Sequence, residues 1–406
     1  MKFVKLNPIA QQRLKRFISI KRGYYSFILL IVLTLLSFVG ELFINNKALI
    51  VKYNGDYYFP VVRSFPLFSK QFSGKDFGES YSYETDYRQL QKKWEDADSE
   101  NWILMPIVPY GKTENDQINR KEIKDKLAET QAQFQTKIRQ IKASAKPDQA
   151  ARIAELQAEQ ELMEAELNKS MFHPLPPNFS KRHFLGTDPN GRDIFALLVF
   201  GYRVAIIFSL TLLICTYTIG ITIGCLMGYI GGWFDLIIQR IIEILSRVPV
   251  IYIMMIIATI YGKSFGILLS LMIIFGWMGI TWQMRTATYK EKARDYIMAA
   301  RSLGATNTRI VFSHIIPSTI ALIVTFIPFS VSGGIVMLTS LDFIGFGLPP
   351  GDPSWGDLMK MGTSNMDAPW IVASVVVSMV VILFLVNMVG EAIREAFDPK
   401  KFTKYE

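Results

Sequence analysis

Six long apolar stretches stand out along this sequence. A stretch of about 18 or more apolar residues is long enough to cross a bilayer as a helix. We therefore predict an all-α polytopic membrane protein with six transmembrane helices, at residues 24–44, 204–228, 249–262 (preceded by apolar residues at 241–245), 265–282, 318–341 and 370–389. The remaining chain forms tails at 1–23 and 391–406, a large segment at 45–202, and a loop at 285–317 within the membrane domain of residues 203–390.

The segment between the first two spans has two different parts. Residues 45–112 alternate apolar and polar positions around a turn at Asn54-Gly55, which predicts a small cap with short strands. Residues 113–169 carry apolar positions at helical spacing in two series, and Pro147 separates them because it cannot lie inside a helix without losing a hydrogen bond. The series are Ile123, Leu127, Phe134, Ile138 and Ile141, then Ile153, Leu156, Met163 and Leu167. We predict an antiparallel coiled-coil hairpin, which is either a solvated structural insertion or a docking surface for a partner.

The distribution of charge assigns a side of the membrane to each segment. Residues 1–23 hold seven basic and no acidic residues, and the loop at 285–317 is also basic. In contrast, the 22 basic and 22 acidic residues of 45–200 cancel, so the formal net charge of +9 lies elsewhere. Because Lys and Arg are enriched in cytoplasmic flanks, both termini and the loop are predicted to be cytoplasmic, and the large segment external.

The residue types that carry catalysis or bind metals are scattered. His173 and His183 lie in the predicted external segment and His314 in the predicted cytoplasmic loop, and no H-E-x-x-H zinc motif occurs. The sequence YGKS at 261–264 lacks the first glycine of a P-loop, because that position is Ile257. The sequence DPNGRD at 188–193 begins like a calcium loop, but Val199 occupies the position that needs glutamate. We predict no catalytic residue, metal, cofactor or nucleic-acid partner for this chain, so any ATP must be bound by another chain.

A polar motif, HFLGTDPNGRD at 183–193, precedes the second predicted span. The four residues at 188–191 form a strong turn signal, and Asp193 can cap the helix that follows. The candidate residues of this external motif are Gly186, Thr187, Asp188, Gly191, Arg192 and Asp193.

The sequence YIMAARSLGATNTRIVFSHIIP, at 296–317, predicts an elbow of two short helices. Gly304 suits a left-handed helix end, and Thr306 or Asn307 can cap a second helix that runs to Pro317. One face of the first helix collects small and apolar residues: Tyr296, Ala299, Ala300 and Leu303.

The spacing of this segment resembles the E-A-A-x3-G-x9-I-x-L-P loop of ATP-binding cassette importer permeases. Met298, His314 and Ile316 depart from that pattern. Two further stretches are similar to the C-type permeases of the peptide-importer branch: HFLGTDPNGRD, and SLDFIGFGLPPGDPSWGDLM at 340–359. The stretches 23–60 and EAIREAFDPKK are similar to the subgroup whose members import peptides including microcin C. The hairpin departs from that subgroup.

The resemblance implies the type I importer permease fold and the function of an inner-membrane permease subunit that moves peptides from periplasm to cytoplasm. It also implies a homologous sister permease, a cytoplasmic ATPase that binds ATP and magnesium (two chains or one fused chain), and a periplasmic peptide-binding protein. In this family the 295–317 loop forms a coupling helix that docks on the ATPase. The coupling residues would be Tyr296, Ala299, Ala300, Leu303, Gly304, His314 and Pro317.

Two other functions are open to such a chain. An exporter or channel would need no binding protein. A membrane-embedded enzyme would need an acid, a metal site or a nucleophile within the spans, and the sequence offers no evident set.

Asp342 is an ionisable residue near the predicted outer end of the fifth span. Such residues usually face a cavity or a partner rather than lipid. One interpretation places Asp342 at the outer mouth of the substrate pathway, where it attracts a peptide ammonium group. The other makes it an interfacial acid that caps the next turn or pairs with an arginine.

Overall fold

A computed structural model describes residues 8–63, 71–114, 117–143, 149–172 and 174–397. The predictions for residues 1–7, the turn at 144–148, His173 and the tail at 398–406 lie outside the described residues. The α-helices, in chain order, are α1 Pro8–Ser19, α2 Lys21–Phe38, α3 Pro60–Arg63, α4 Tyr87–Asp96, α5 Gln117–Ala143, α6 Gln149–Phe172, α7 Ile194–Ile230, α8 Gly232–Ser246, α9 Val250–Tyr261, α10 Phe265–Gly276, α11 Met278–Lys292, α12 Asp295–Ser302, α13 Asn307–Ile310, α14 Ile316–Ser318, α15 Ile320–Phe343, α16 Trp355–Ser364 and α17 Pro369–Phe397. The strands are β1 Ile50–Tyr53, β2 Asp56–Tyr58 and β3 Trp102–Leu104, and 3₁₀ turns occupy Gly40–Leu42 and Gly74–Phe77.

Among the described residues, five helical stretches are long and apolar enough to cross a membrane: α2, α7, α10 with α11, α15 and α17. A sixth span results if α8 and α9, which are bent by 67° relative to each other, are counted as one broken span. The break follows from Pro249, which lacks an N–H donor and disfavours a helical conformation in the residue before it.

The helix ends differ from the predicted windows most at the first, second, fourth and sixth spans, and the sixth runs to Phe397 instead of residue 389. The first span ends at Phe38 instead of residue 44, because a 3₁₀ turn at Gly40–Leu42 follows it. The second begins at Ile194, so the predicted domain boundary at 203 falls inside α7. The fourth continues through α11 to Lys292, because helical geometry persists after the apolar residues give way to polar ones.

Contacts divide the chain into two units. Unit 1 contains the described parts of 1–38, 201–357 and 376–406, and unit 2 contains those of 39–200 and 358–375.

A glycine stripe on α7 allows close helix packing in unit 1. Gly220, Gly224 and Gly228 recur at four-residue spacing, so they share one helix face. A Cβ atom on any of them would lie 2.7 Å or less from an atom of α11, including the Thr281 and Arg285 carbonyl oxygens. Small residues at such positions let two membrane helices approach backbone to backbone. The stripe therefore joins α7 to α11.

Unit 2 contains a small cap built on a three-stranded antiparallel sheet with strand order β2-β1-β3. The tight turn between β1 and β2 lies at the predicted Asn54-Gly55, where both residues have positive φ. The cap core is mainly aromatic and aliphatic: Ala48, Val51, Phe72, Phe77, Tyr87, Leu90, Trp94, Ile103 and Met105 are buried.

Helices α5 and α6 of unit 2 pack against each other. Phe134 of the predicted first series is buried. In the second series Met163 is 48% exposed, whereas Gln160 and Glu164 are half-buried and hydrogen-bonded to each other at 2.6 Å. Ile153, Leu156 and Leu167 of the predicted series are half-buried, so the inward stripe of α6 contains three of the four predicted residues together with Gln160 and Glu164.

Candidate functional site

Helix α12 presents almost all of its surface to solvent. Ile297 is its one buried residue, and it anchors the helix to unit 1. The predicted face lies on the outside: Tyr296 and Ala299 are exposed, and Ala300 is half-buried. Leu303 follows the helix and is 88% exposed. An apolar side chain held out at a helix end gives this segment a surface suited to a protein groove.

The turn after α12 is a Schellman motif, which fixes the direction of the chain. Gly304 has φ +80°, which confirms the predicted left-handed helix end. The Ala305 N–H donates to the Ala300 carbonyl at 3.1 Å, and the Gly304 N–H donates to the Arg301 carbonyl at 3.0 Å. Thr306 then caps α13 by accepting from the Arg309 N–H at 3.3 Å, so the cap is Thr306 and not Asn307.

The second limb of the elbow is not the single regular helix that the sequence predicts. After α13, residues Val311–Ile315 form a π-helical turn before α14. Pro317 lies in α14 and has no backbone N–H to donate to the preceding turn. The wider π-helical turn ends directly before α14. Ile310, Val311 and Ile315 are buried, so this limb is anchored, and His314 is half-buried within it.

Polar contacts tie α12 to the ends of α11 and α7. The Tyr296 hydroxyl donates to the Glu291 carboxylate at 2.7 Å. The Lys292 ammonium donates to the Tyr229 carbonyl at 2.5 Å, and the Arg301 guanidinium lies 5.8 Å from the centre of the Tyr229 ring. These contacts connect α12 to α11 and, through Tyr229, connect the end of α7 to the same segment.

A second polar cluster, which we call the α8–α11 latch, consists of Asp235, Arg285 and Tyr289. Arg285 donates from Nε and Nη2 to the two carboxylate oxygens of Asp235, each at 2.6 Å. The Tyr289 hydroxyl donates to Asp235 Oδ2 at 2.7 Å. The Asp235 side chain is 7% exposed, and bidentate pairs of this kind are strong and directional. The latch fixes the start of α8 on α11, the helix that leads into α12.

Sequence reasoning missed this latch. The one available signal was an acid within the apolar stretch GWFDLII at 232–238, since such residues usually have a partner. Nothing local identifies that partner, because Arg285 lies 50 residues away along the chain.

The predicted external motif forms a buried polar turn in unit 2. Asp188 accepts from Arg192 Nε at 2.7 Å, and from the backbone N–H groups of Asn190 and Arg192 at 2.8 Å each. Gly191, inside the turn, has φ +79°. Thr187 accepts from the Leu175 N–H at 2.8 Å through its hydroxyl. Gly186 of the same motif has φ +80°.

The same motif caps α7. Asp193 accepts from the Ala196 N–H at 2.8 Å, which confirms the predicted helix cap. Its second oxygen lies 2.8 Å from Nδ1 of His183, and both side chains are fully buried. The His183 ring stacks on Tyr110 with a centroid distance of 3.8 Å. This arrangement gives the motif a structural role at the start of α7.

Asp342 does not lie at an open mouth. It is 6% exposed, and its carboxylate accepts from the Leu348 N–H and the Ser354 hydroxyl. A Cβ on Gly347 would overlap the carboxylate, with 1.6 Å between the atoms, so the following loop wraps directly around it. This geometry favours the alternative interpretation, an acid that caps the next turn, and the substrate-pathway interpretation stays a prediction.

Comparisons with known proteins converge on one family. Residues 220–403 match the family described as binding-protein-dependent transport system inner membrane component. The chain is 34% identical to the peptidoglycan transport system permease protein YejE of Agrobacterium fabrum, over 97% of this chain and 94% of that one. It is 32% identical to the inner membrane ABC transporter permease protein YejE of Escherichia coli, over 98% and 99% of the two chains.

More distant matches cover only part of the chain. The oligopeptide transport system permease protein OppC of Haemophilus influenzae is 29% identical over 55% of this chain and 72% of its own. A solved structure of the MetNI methionine ABC transporter in an inward-facing conformation aligns with 50% of this chain and 98% of that chain, at 17% identity and a TM-score of 0.43. Because the two YejE proteins exceed 30% identity along almost their whole length, this chain belongs to the family of binding-protein-dependent inner membrane components, the permease subunits of ABC transporters.

Proposed function

We propose that this chain is a permease subunit of an ATP-driven importer that moves peptides from the periplasm to the cytoplasm. Family membership supports an inner-membrane transport component, and relatives named for peptidoglycan and oligopeptide transport support a peptide cargo. Peptide-nucleotide antibiotics such as microcin C belong to the proposed cargo on the strength of the sequence resemblance alone.

The proposal places the termini and the loop at 285–317 in the cytoplasm and the segment at 45–202 in the periplasm, as the charge distribution favours. Its partners are a sister permease, an ATP-binding cassette ATPase on a separate chain, and a periplasmic peptide-binding protein. The segment at 113–169 is a structural insertion or a surface for one of the periplasmic partners. ATP and magnesium belong to the ATPase.

The observation that carries the proposal is the exposed α12 elbow. Leu303 and the outer face of α12 would dock in a groove of the ATPase, while Ile297 and the π-helical limb hold the segment on the membrane domain. The Schellman turn makes the elbow a rigid lever. Closure of the ATPase dimer would displace α12, and α11 would carry the displacement to α7 and, through the α8–α11 latch, to α8.

Uptake by the purified complex in proteoliposomes tests the proposal. The assay measures accumulation of a labelled peptide with ATP supplied on the α12 side and binding protein on the other side. We expect uptake only when both are present. Transport that persists without binding protein, or that runs outward, would support the exporter or channel instead.

A further inference from the structure

Unit 1 contains an open cavity of about 620 Å³, which is lined by α7, α9, α10, α11 and α15. This volume lies within the range of about 300–1,000 Å³ that is typical of small-molecule sites. The polar side chains of its lining are Thr216, Tyr217, Gln283 and Ser330.

No residue of this lining carries a charge. A charged group of a cargo that entered the cavity would therefore find no ionic partner on this chain, and burying it unpaired would be costly. The cavity is suited to a neutral part of a molecule. Its walls are mostly apolar, so the few polar side chains determine which neutral part can bind.

Three of the polar side chains have hydrogen-bonding capacity to spare. The hydroxyls of Tyr217 and Ser330 lie 2.7 Å apart, and because they share one hydrogen bond, one hydroxyl hydrogen remains for an added acceptor. The Gln283 carboxamide, which supplies two donors and one acceptor, is exposed and bonds to none of the described residues. Thr216 is different, since its hydroxyl already donates to the Leu212 carbonyl at 2.7 Å.

Two glycines keep the cavity open. A Cβ on Gly279 or Gly333 would meet no atom of the described chain within 4 Å. By contrast, a Cβ on the neighbouring Gly334 would lie 2.8 Å from the Ser209 hydroxyl, so that glycine serves helix packing. The empty space beside Gly279 and Gly333 is therefore available to a ligand rather than required by the packing of this chain.

We infer that this cavity binds the main chain of the cargo peptide and does not read the charge of its side chains. Each peptide unit offers one N–H donor and one carbonyl acceptor. These groups complement the Gln283 carboxamide and the Tyr217–Ser330 hydroxyl pair, whichever side chains the peptide carries. The inference rests on the proposed function and adds the group that this subunit recognises.

The test uses the full transporter, reconstituted with its binding protein, and three labelled peptides of equal length: one neutral, one cationic and one anionic. The variants are Gln283→Leu, which removes the carboxamide, and Gly333→Leu, which fills the open space. Gly266→Leu is the matched control, because Gly266 lies in α10 and does not line the cavity. A Cβ atom at Gly266 would have the Ser264 hydroxyl as its nearest neighbour, at 3.8 Å. Co-purification of the sister permease and ATPase stimulation by the binding protein are measured for each complex.

Gln283→Leu should reduce uptake of all three peptides by a similar factor, about threefold to tenfold, which is the range for one lost hydrogen-bonding group. Gly333→Leu should also reduce uptake of all three peptides, because its side chain fills the open space that the peptide main chain would occupy, while uptake by the control and ATPase stimulation stay unchanged. The inference is overturned by a loss confined to one charge class, or by full uptake in both cavity variants. Loss of sister co-purification in Gly333→Leu also overturns it, because the open face would then be a subunit interface. If the wild-type complex imports none of the three peptides, the proposed function itself fails. If only the inference fails, wild-type uptake is intact, so the two failures are distinguishable.

Discussion

Replacing Asp235 with Asn should detach the start of α8 from α11. The change keeps the shape of the side chain but removes its charge, so Arg285 loses a bidentate carboxylate and Tyr289 loses a charged acceptor. Exposed ion pairs contribute about 0.2–1 kcal/mol, whereas removing one partner of a buried pair costs about 3–5 kcal/mol. The side chains of Arg285 and Asp235 are 18% and 7% exposed. This partial burial places the expected loss between those limits, at about 2 kcal/mol.

The loss is measurable as a shift in thermal unfolding of the purified permease. At about 2–4 °C per kcal/mol for domains of intermediate size, Asp235→Asn should lower Tm by about 4–8 °C. Tyr289→Phe removes one hydrogen bond and should cost about 1 kcal/mol. Glu243→Gln is the control on the same helix: it breaks the Arg240–Glu243 pair, whose side chains are 75% and 48% exposed, and should leave Tm almost unchanged.

A double-mutant cycle separates the latch from general destabilisation. Asp235→Asn leaves the Arg285 guanidinium without its anion, so adding Arg285→Gln should cost little more than the single change. If the two effects simply add, the side chains do not act as a pair, and the latch is refuted. In the assembled transporter, Asp235→Asn should also lower the uptake per ATP hydrolysed while the ATPase stays bound.

Four further changes test other parts of the structure. Gly304→Val forces a β-branched residue to φ +80°, so we expect weak ATPase binding in a pull-down assay and lost peptide uptake. Gly304→Asn tolerates this conformation and should retain most of the ATPase binding and most of the uptake. Asp193→Ala removes the α7 cap and the carboxylate that lies beside Nδ1 of buried His183; Tm should fall by an amount equivalent to about 2–3 kcal/mol, and an unchanged Tm would show that these two contacts are dispensable. Asp342→Asn should impair uptake of free-amine and N-blocked peptides equally, because the buried carboxylate holds a loop; a selective loss for free amines would support the substrate-pathway interpretation instead. Deleting 116–168 with a short Gly/Ser bridge should leave membrane insertion and sister pairing intact in membrane fractions, and degradation of the variant would show that the hairpin stabilises the cap.

Features that depend on residues close together in the sequence could be predicted. Apolar length indicated the spans, Gly304 indicated the left-handed turn, and the position of Asp193 directly before α7 indicated a cap. Each of these depends on residues within a few positions of one another, so the pattern contains the physical cause.

Features that depend on distant partners could not be predicted. The glycine stripe of α7 has a clear period, but the sequence does not show that α11 fills it. Asp342 illustrates the same limit, because its hydrogen bonds come from a loop whose folded path no periodicity describes. The third predicted span begins at Pro249, where α8 and α9 are separated, but the sequence did not predict the 67° bend between them.

A photocrosslinking measurement at Leu303 tests the proposed coupling most directly. A photoreactive phenylalanine analogue replaces Leu303, which is 88% exposed, and in a second variant it replaces Tyr57 of the cap, which is 59% exposed. In membranes that contain the whole transporter, the probe at 303 should crosslink to the ATPase and not to the binding protein, and the probe at 57 should not reach the ATPase. Absence of an ATPase crosslink from position 303, or its appearance from position 57, would contradict the proposed coupling and topology.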